Sequence, residues 1–197
     1  MAVSGSVDLD ALAIREWEGS TGDLNVSTFT CGDDDLDGFL RDDAERLRAL
    51  NIARTFVCVL DGAVVGYVTL MTDAIVLSSS ERKTIKTARG GLGLRMAHTD
   101  HPVVPALKVA RFCAVKHLQR RGIGRYLMRF ALFRALAISE DVGCRLLTLD
   151  AYPDAVEFYE QKLKFIRNKA RDYRDRTRPS MRYDIFMPDP PEWARIG

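Results

Sequence analysis

The sequence lacks the features of a membrane-spanning or exported protein. It contains no run approaching the roughly 20 apolar residues that a transmembrane helix requires, and its first residues lack the apolar core of a signal peptide. Its cysteines stand far apart in the chain, with no Cys-X-X-Cys pair of the kind that binds zinc or exchanges disulfides. We therefore expect reduced, mostly buried thiols, no bound metal, no membrane partner and a cytoplasmic location.

An excess of charge of either sign is also missing. The 29 Lys and Arg residues are balanced by 27 Asp and Glu residues, which leaves a formal net charge of +2. Any argument for a nucleic-acid partner must therefore rest on local clusters of charge. The chain has no internal repeat, and its 197 residues are enough for one well-buried core but few for two. We predict a single domain over residues 1–197, with its core from about residue 11 to about residue 187.

A run of aspartates follows Cys31-Gly32 in the sequence. Its spacing matches the start of a calcium-binding EF-hand loop, but the twelfth position, which needs a bidentate Glu, is Ala44. Acids are also favoured at the start of a helix, where the helix dipole is positive. We therefore predict that Asp33 or Asp34 caps a helix. The buried face of this helix is expected to carry Leu36, Phe39, Leu40, Leu47 and Leu50.

Apolar and β-branched runs predict a sheet that includes at least one hairpin. Asp61-Gly62 supplies the positive φ angles of a tight hairpin turn between two of these runs. A long helix is predicted over Arg125–Ser139, and a short helix is predicted after Pro153. The predicted strands are Ala11–Trp17, Thr55–Leu60, Ala63–Met71, Ala106–Val115, Arg145–Asp150 and Met181–Met187.

The run Gln119-Arg120-Arg121-Gly122-Ile123-Gly124 lies between the apolar stretch that ends at Val115 and the amphipathic stretch that starts at Arg125. Its two glycines allow backbone N–H groups to approach a ligand closely, and a helix that begins after them adds the positive end of its dipole. Its arginines and Arg125 add full positive charge. The pattern indicates a turn that binds a pyrophosphate, with a plain strand-to-helix turn as the alternative.

From about Leu107 to Phe165 the chain resembles the GCN5-related N-acetyltransferases (GNAT), enzymes that move an acetyl group from acetyl-CoA to an amine. The strand Ala110–Val115 precedes the Gln/Arg-X-X-Gly-X-Gly turn at 119–124, and the segment Ala155-X-X-Phe158-Tyr159-Glu160 follows the next strand. Segments near both ends, 34–44 and 176–184, are similar to a bacterial branch of the family. The resemblance therefore covers most of the chain.

The resemblance implies the fold class and the co-substrate. The implied fold is α/β (α+β) of the GNAT type, a mixed central sheet of about six to seven strands with splayed central strands and flanking helices. In it the pantetheine arm of acetyl-CoA pairs with backbone groups of Ala114 and Val115, and an N–H there could stabilise the oxyanion formed from the thioester. The residues implied to bind the coenzyme are Cys113, Ala114, Val115, Gln119, Arg120, Arg121, Gly122, Ile123, Gly124 and Arg125.

Two positions depart from the family pattern. Arg120 and Lys164 stand where many members have glycine. A turn with arginine can still donate its N–H groups to a phosphate unless φ must be positive at that position. Lys164 puts only the local backbone geometry in doubt.

Tyr159 is the candidate general acid, because members of the family commonly use the tyrosine at this position to protonate the departing CoA thiolate. The alternative is a tyrosine that only packs in the core. No acid lies between Pro102 and Val115, where many relatives place a carboxylate base, and Arg111 occupies that region here. Asp150 is a candidate base, with a strand-end role as the alternative.

The missing carboxylate mildly favours an acceptor that is an α-amine. The reference pKa of an α-amino group is about 7.7 to 8.0, against about 10.4 for lysine, so an α-amine needs less help from a base. His98, His101 and His117 could titrate in a useful range, but we interpret them as surface residues.

The acceptor is the point on which the sequence leaves alternatives open. The leading interpretation is an N-acetyltransferase with an unidentified amine acceptor. A narrower one is aminoacyl-tRNA, because the chain resembles bacterial toxins that acetylate it, in the Cys31-Gly32 helix opening and in the long segment before Val103. A third, of another class, is a non-catalytic CoA-binding module. The last strand could also pair across a homodimer.

Two basic clusters could contact tRNA phosphates, although a solvated charged face explains them equally well. The first lies within residues 82–95, in a polar segment that could form a substrate-facing wall. The second consists of Lys162, Lys164, Arg167, Lys169, Arg171, Arg174 and Arg176.

Overall fold

The computed structural model describes residues 7–19, 23–82 and 103–195. Seven strands form one mixed sheet in the order β1-β2-β3-β4-β5-β7-β6. This confirms the predicted fold class and the upper end of the predicted number of strands. The strands are β1 (Ala13–Glu16), β2 (Arg54–Leu60), β3 (Ala63–Val76), β4 (Val103–Ala114), β5 (Leu146–Asp150), β6 (Ile166–Arg167) and β7 (Ser180–Asp184).

The helices lie between these strands in the chain. The long predicted helix is present and begins two residues earlier than expected, at Ile123. Within the described ranges, no helix is long and apolar enough to cross a membrane. The helices are α1 (Asp34–Gly38), α2 (Ala44–Ala49), α3 (Ser79–Arg82) and α4 (Ile123–Asp141), with π-helical turns at Phe39–Asp43 and Phe158–Lys162.

One compact unit comprises residues 1–71 and 109–131. The predicted hairpin is present, with Leu60 opposite Ala63 and with positive φ at both Asp61 and Gly62. Tyr67 of β3 is fully buried, and its hydroxyl donates to the Leu36 carbonyl of α1 at 2.8 Å. This bond ties α1 to the strands of the unit.

The aspartates at the start of α1 act as predicted for a helix terminus. The Asp33 carboxylate accepts the Leu36 N–H at 3.1 Å, which is the bond of a helix cap. Leu36, Phe39 and Leu40 are buried as expected, but Leu50 is 59% exposed and its assignment to the buried face is wrong. The reason is that α2 ends at Ala49, so Leu50 lies beyond the helix.

Gly66 in β3 allows β4 and the start of α4 to pack closely against that strand. A Cβ atom at this position would lie 2.9 Å from the Cys113 carbonyl oxygen and 3.1 Å from side-chain atoms of both Ile123 and Leu127. A Cβ at 2.9 Å from a backbone oxygen would force the backbone to shift, so glycine is required here.

The second compact unit comprises residues 72–108 and 132–197. Its core includes a cluster of buried apolar residues against which Tyr173 packs. A chain of aromatic contacts links Tyr159 to Phe165, Phe165 to Tyr183, and Tyr183 to Trp193, with ring centroids 5.1 to 5.9 Å apart. The apolar cluster consists of Ile75, Leu77, Val104, Ala106 and Leu146.

The end of the sheet differs from the sequence-based expectation. The last strand was expected over Met181–Met187, but β7 ends at Asp184, whose carboxylate accepts the Phe186 N–H at 3.0 Å and closes a turn. The two-residue strand β6, which was not predicted because it is too short to show periodicity, pairs with β7 through Ile166 and Arg167. The last strand in the sequence is therefore flanked by β5 on one side and by β6 on the other.

The second unit also contains a buried ion pair. Glu81 and Arg182, with side chains 3% and 5% exposed, lie 2.6 Å apart. Glu81 also accepts the N–H groups of Ser78 and Lys169, and Arg182 donates to the Asn168 side chain. Because both charges are paired and hydrogen-bonded, their burial is compensated.

Candidate functional site

The predicted phosphate turn connects β4 to α4 through backbone conformations that favour glycine. Gly122 has a φ of 100°, and Arg120 has a φ of 62°. The backbone of Arg120 therefore does have a positive φ, the one condition that put this position in doubt. Such a left-handed conformation costs a non-glycine residue roughly 1–2 kcal/mol. Arg120 therefore has the backbone conformation that glycine would adopt without strain.

The start of α4 supplies backbone donors. The first bond of the helix runs from the Tyr126 N–H to the Gly122 carbonyl at 3.0 Å. The N–H groups of Ile123, Gly124 and Arg125 precede it and therefore have no acceptor within the helix. The first turn contains no acidic residue, and the exposed side chains of Arg120 and Arg125 flank it. This arrangement of donors, helix dipole and charge suits an anion with several oxygens.

Two of the residues predicted to bind the coenzyme have only backbone atoms to offer a ligand. The Ile123 and Cys113 side chains are 1% and 8% exposed and belong to the core. Burial, the first cause, and the neighbouring Cys31 thiol raise the pKa of the Cys113 thiol far above its usual range. Neither side chain is therefore available to a charged ligand.

Two of the predicted contacts need correction. The Val115 N–H donates to the Val65 carbonyl at 2.9 Å, so this donor is used within the sheet and does not meet the thioester. Successive N–H groups of a strand point to opposite edges, and the Ala114 N–H therefore points away from β3. Of the two predicted pantetheine residues, only Ala114 retains a candidate donor.

The second correction concerns the predicted contact between Gln119 and the coenzyme. Its Nε2 atom donates to the Cys31 carbonyl at 2.8 Å and to the Ala114 carbonyl at 3.2 Å. The backbone N–H of Gln119 donates to the Lys116 carbonyl at 3.4 Å. These bonds hold the turn against its neighbours, so Gln119 does not offer its amide to the phosphate.

Tyr159 lies in the π-helical turn Phe158–Lys162 of the second unit and is 7% exposed. Its ring contacts Phe158 and Phe165 at centroid distances of 5.4 and 5.9 Å. The turn ends where the Phe165 N–H donates to the Tyr159 carbonyl at 2.9 Å, across Lys164 with a φ of 60°. Lys164, like Arg120, adopts a left-handed conformation, which glycine adopts at no steric cost.

The candidate base Asp150 and the Arg111 side chain, which stands where relatives were expected to carry a carboxylate, are both engaged by neighbouring groups. One Asp150 oxygen is 2.7 Å from the Lys108 ammonium, and the other is 3.8 Å from the Arg176 guanidinium. Both carboxylate oxygens of Asp150 therefore face cations of the same unit. Arg111 stacks over the Phe39 ring at 5.2 Å, and its buried Nε has no hydrogen-bond partner among the described residues.

Of the three histidines, only His117 lies within the described residues. His117 is exposed, while His98 and His101 lie outside the described residues. Within the part of the chain that the structure describes, no group of three or more His, Cys, Asp or Glu side chains could hold a metal ion.

One residue of this region was missed by the sequence reasoning. Asp37 was interpreted only as an acid near a helix start, but its side chain is 3% exposed and accepts the Cys31 N–H at 2.8 Å. The available signal was its spacing, because Asp37 precedes the buried Leu40 by three residues and the buried Ala44 by seven. Burial by itself raises the pKa of Asp37, but hydrogen bonds from Cys31 and Thr30 outweigh it and the net shift is downward.

The second basic cluster is exposed along the surface of its unit. Arg167 pairs with Glu160 at 2.7 Å and Arg176 with Asp150, while Lys169, Arg171 and Arg174 are exposed and have no ion pair among the described residues. The first cluster, at 82–95, lies outside the described residues apart from Arg82, as does the predicted substrate-facing wall. Only the second cluster can be placed.

Comparison with known proteins gives consistent results. A profile of the acetyltransferase (GNAT) family matches residues 20–165. A curated relative, a tRNA-acetylating toxin of Mycobacterium tuberculosis (strain ATCC 25618 / H37Rv), is 26% identical over 136 residues, which cover 68% of this chain and 75% of the relative.

Solved structures with the same fold include two of the toxin AtaT. A mutant AtaT bound to the C-terminus of the antitoxin AtaR and acetyl-CoA has a TM-score of 0.66 at 19% identity, covering 89% of this chain and 94% of that one. AtaT complexed with acetyl-methionyl-tRNAfMet has a TM-score of 0.67 at 19% identity, covering 88% and 94%. At this level of identity the likeness shows the fold.

Proposed function

The chain belongs to the acetyltransferase (GNAT) family and is an acetyl-CoA-dependent N-acetyltransferase, and from that premise we propose that its acceptor is the α-amine of aminoacyl-tRNA. The observation that carries this proposal is the similarity to the mycobacterial tRNA-acetylating toxin. The exposed cations Lys169, Arg171 and Arg174 support it, because they could meet phosphates.

The second part of the proposal concerns the coenzyme. The pyrophosphate binds to the N–H groups of Ile123, Gly124 and Arg125, with Arg120 and Arg121 supplying charge. The Ala114 N–H contacts the pantetheine arm or the thioester oxygen. An N–H that faces this oxygen stabilises the negative charge that develops there when the neutral amine attacks the thioester directly.

The third part concerns proton transfer. Tyr159 protonates the thiolate as it leaves, as the family resemblance implies, and regains its proton from solvent. The nitrogen of the attacking amine releases its extra proton to solvent water. No carboxylate stands on β4 to accept the proton of the amine, and Asp150 is held by Lys108 and Arg176. An α-amine with a reference pKa of about 7.7 to 8.0 is substantially neutral near pH 8 without such a base. The absence of a carboxylate on β4 therefore favours α-amines over lysine side chains.

The acceptor is tested with labelled acetyl-CoA and defined amines. Charged tRNA should be labelled on its aminoacyl group, whereas uncharged tRNA and a lysine-containing peptide blocked at its N-terminus should not. Expression of the active enzyme should also arrest growth. Labelling of the peptide instead of the charged tRNA, or normal growth during expression, would contradict the proposed acceptor.

We expect the charge reversal Arg171→Glu to weaken the use of charged tRNA. Loss of one phosphate contact should raise KM for charged tRNA severalfold and reduce the slope of log KM against log salt by about 1. Arg46→Glu is the matched control, since Arg46 is also an exposed arginine but lies in α2. Equal effects of the two variants would argue against a role of the second cluster.

We expect Gly122→Ala to weaken acetyl-CoA binding. Its φ of 100° disfavours any side chain, and the added Cβ would lie 3.3 Å from a Leu9 methyl group. If relief of strain moves the turn, a cost of about 1.4 kcal/mol corresponds to a tenfold higher Kd, measured by calorimetric titration. Gly62→Ala is the control, because Gly62 also has a positive φ but a Cβ there meets nothing within 4 Å. Unchanged binding by Gly122→Ala would remove the phosphate turn from the proposal.

The cellular location and the oligomeric state of the protein stay predictions. We propose a cytoplasmic location, which the four free, buried cysteines support and which cell fractionation would test. A homodimer stays a prediction as well, although β7 already has strands on both sides. Sedimentation of the purified protein would decide it.

A further inference from the structure

The loop before α1 is bonded directly to the phosphate turn. The Lys116 N–H donates to the Thr30 carbonyl at 2.9 Å, and the Gln119 side chain donates to the Cys31 carbonyl at 2.8 Å. Two consecutive residues of the loop therefore receive bonds from the two ends of the segment 116–119. These contacts join parts of the chain that are 86 to 88 residues apart in sequence.

Asp37 holds this loop from the other side. Its Oδ1 accepts the Cys31 N–H at 2.8 Å in buried surroundings, and its own N–H donates to the Asp33 carbonyl within α1. A charged acceptor makes a stronger bond than a neutral one. Because α1 is tied to β3 through the Tyr67 hydroxyl, the carboxylate has a rigid support.

The bonds form one continuous path. It runs from the Asp37 carboxylate to the Cys31 amide, from the Cys31 carbonyl to the Gln119 side chain, and from that side chain to the Ala114 carbonyl at 3.2 Å. Its last member precedes the turn, and Gln119 is the first residue of the turn itself. Neither Asp37 nor the Gln119 amide is left to contact a ligand.

We infer that Asp37 and Gln119 are positioning residues that set the orientation of the phosphate turn through Cys31. This inference rests on the proposed function, because the two residues would act on the turn that is proposed to bind the coenzyme. The turn contains Arg120 in a left-handed conformation, which persists only where the surroundings hold it. The hydrogen bonds from Asp37 through Cys31 to Gln119 fix the backbone immediately before Arg120.

The test is acetyl-CoA binding by titration calorimetry in variants of the full chain. Asp37→Ala should raise the Kd about tenfold or more while kcat at saturating acetyl-CoA changes less than twofold. Asp37→Asn keeps an oxygen acceptor at the same place and should recover most of the affinity. Gln119→Met removes the donor from an exposed side chain, so this variant should fold and show the same rise in Kd.

The two positions should also be coupled. Because they act through the same residue, the double variant Asp37→Ala/Gln119→Met should lose no more affinity than the stronger single variant, whereas independent sites would add. Thr55→Val is the control for general loss of stability, since it breaks the buried hydrogen bond of 2.9 Å between Thr55 and Thr69 in β2 and β3. Its Kd should equal that of the wild type.

The outcomes separate this inference from the proposed function. If Gly122→Ala weakens binding but Gln119→Met and Asp37→Ala do not, the turn binds the coenzyme and the positioning role is overturned. If Thr55→Val raises the Kd as much as Asp37→Ala does, the effect is general destabilisation and the inference fails. If the wild type does not bind acetyl-CoA, the proposed function and this inference fail together.

Discussion

Replacing Tyr159 with phenylalanine is expected to reduce kcat by about 10²- to 10⁴-fold, the range that a positioned general acid contributes. The Kd for acetyl-CoA should stay within about twofold, because the proposed donors to the pyrophosphate are backbone N–H groups of the turn, which this change leaves intact. The ring is retained, and with it the aromatic contacts to Phe158 and Phe165. Single-turnover kinetics with charged tRNA, combined with calorimetry, would separate the two quantities.

Tyr183→Phe is the matched control for this prediction. Tyr183 is a buried tyrosine of the same aromatic chain, with its ring 5.6 Å from Phe165, and the proposed mechanism gives it no role. Its variant also loses one hydroxyl from the core. A kcat of Tyr159→Phe equal to that of the control would show that Tyr159 only packs in the core.

Breaking the buried pair of Glu81 and Arg182 is expected to have the largest effect on stability. Arg182→Met leaves the Glu81 carboxylate buried without its cation, which costs about 3–5 kcal/mol in comparable cases. The free energy of unfolding from urea titration measures this loss. The matched control is Arg54→Met, which breaks an exposed pair with Glu16 at 3.0 Å and should cost at most about 1 kcal/mol.

A double-mutant cycle would identify the cause. Glu81→Leu/Arg182→Met removes both charges, so its loss should be smaller than the sum of the single losses by more than about 1 kcal/mol. Some loss should remain, because Glu81 also accepts the N–H groups of Ser78 and Lys169. Additive losses would mean that the two charges do not stabilise each other.

The same carboxylate predicts how stability depends on pH. Burial raises the pKa of Glu81, but the Ser78 and Lys169 hydrogen bonds and the Arg182 charge outweigh it, so the pKa lies below its usual value. A lowered pKa contributes stability above the unfolded pKa of about 4.3, and this contribution is lost as the pH falls through the folded pKa. Acid should therefore destabilise the wild type more steeply than Glu81→Gln. The free energy of unfolding of both proteins should be measured between about pH 6 and about pH 3, roughly the range around the reference pKa of glutamate. Equal slopes for the wild type and Glu81→Gln would contradict a lowered pKa of Glu81.

Much of the site follows from local sequence patterns. The glycines of the turn, the arginines beside them and the amphipathic pattern from Arg125 predicted a strand, a turn and a helix in that order, and the structure contains them in that order. That the turn binds an anion stays a prediction. These features depend on backbone preferences and periodicity within about ten residues. The Asp61-Gly62 hairpin was predictable for the same reason.

The corrections concern groups whose partners are distant in the chain. Val115 was assigned a free donor, but its N–H is used by Val65, and Gln119 was assigned to the phosphate, but its side chain binds Cys31, 88 residues away. Asp37 looked like one solvated acid among several. No local pattern shows which hydrogen-bond partner a folded chain brings to these groups.

The amino-acid sequence alone determined the family, the order of the elements and the position of the turn, because periodicity, glycine placement and charge act between near neighbours. The tertiary structure decided which donors of that turn are consumed, that Arg120 is left-handed, that Asp150 is paired with Lys108, and that Glu81 meets Arg182 across 101 residues. Those outcomes depend on contacts that form only when strands and helices pack, and packing joins residues by distance in space.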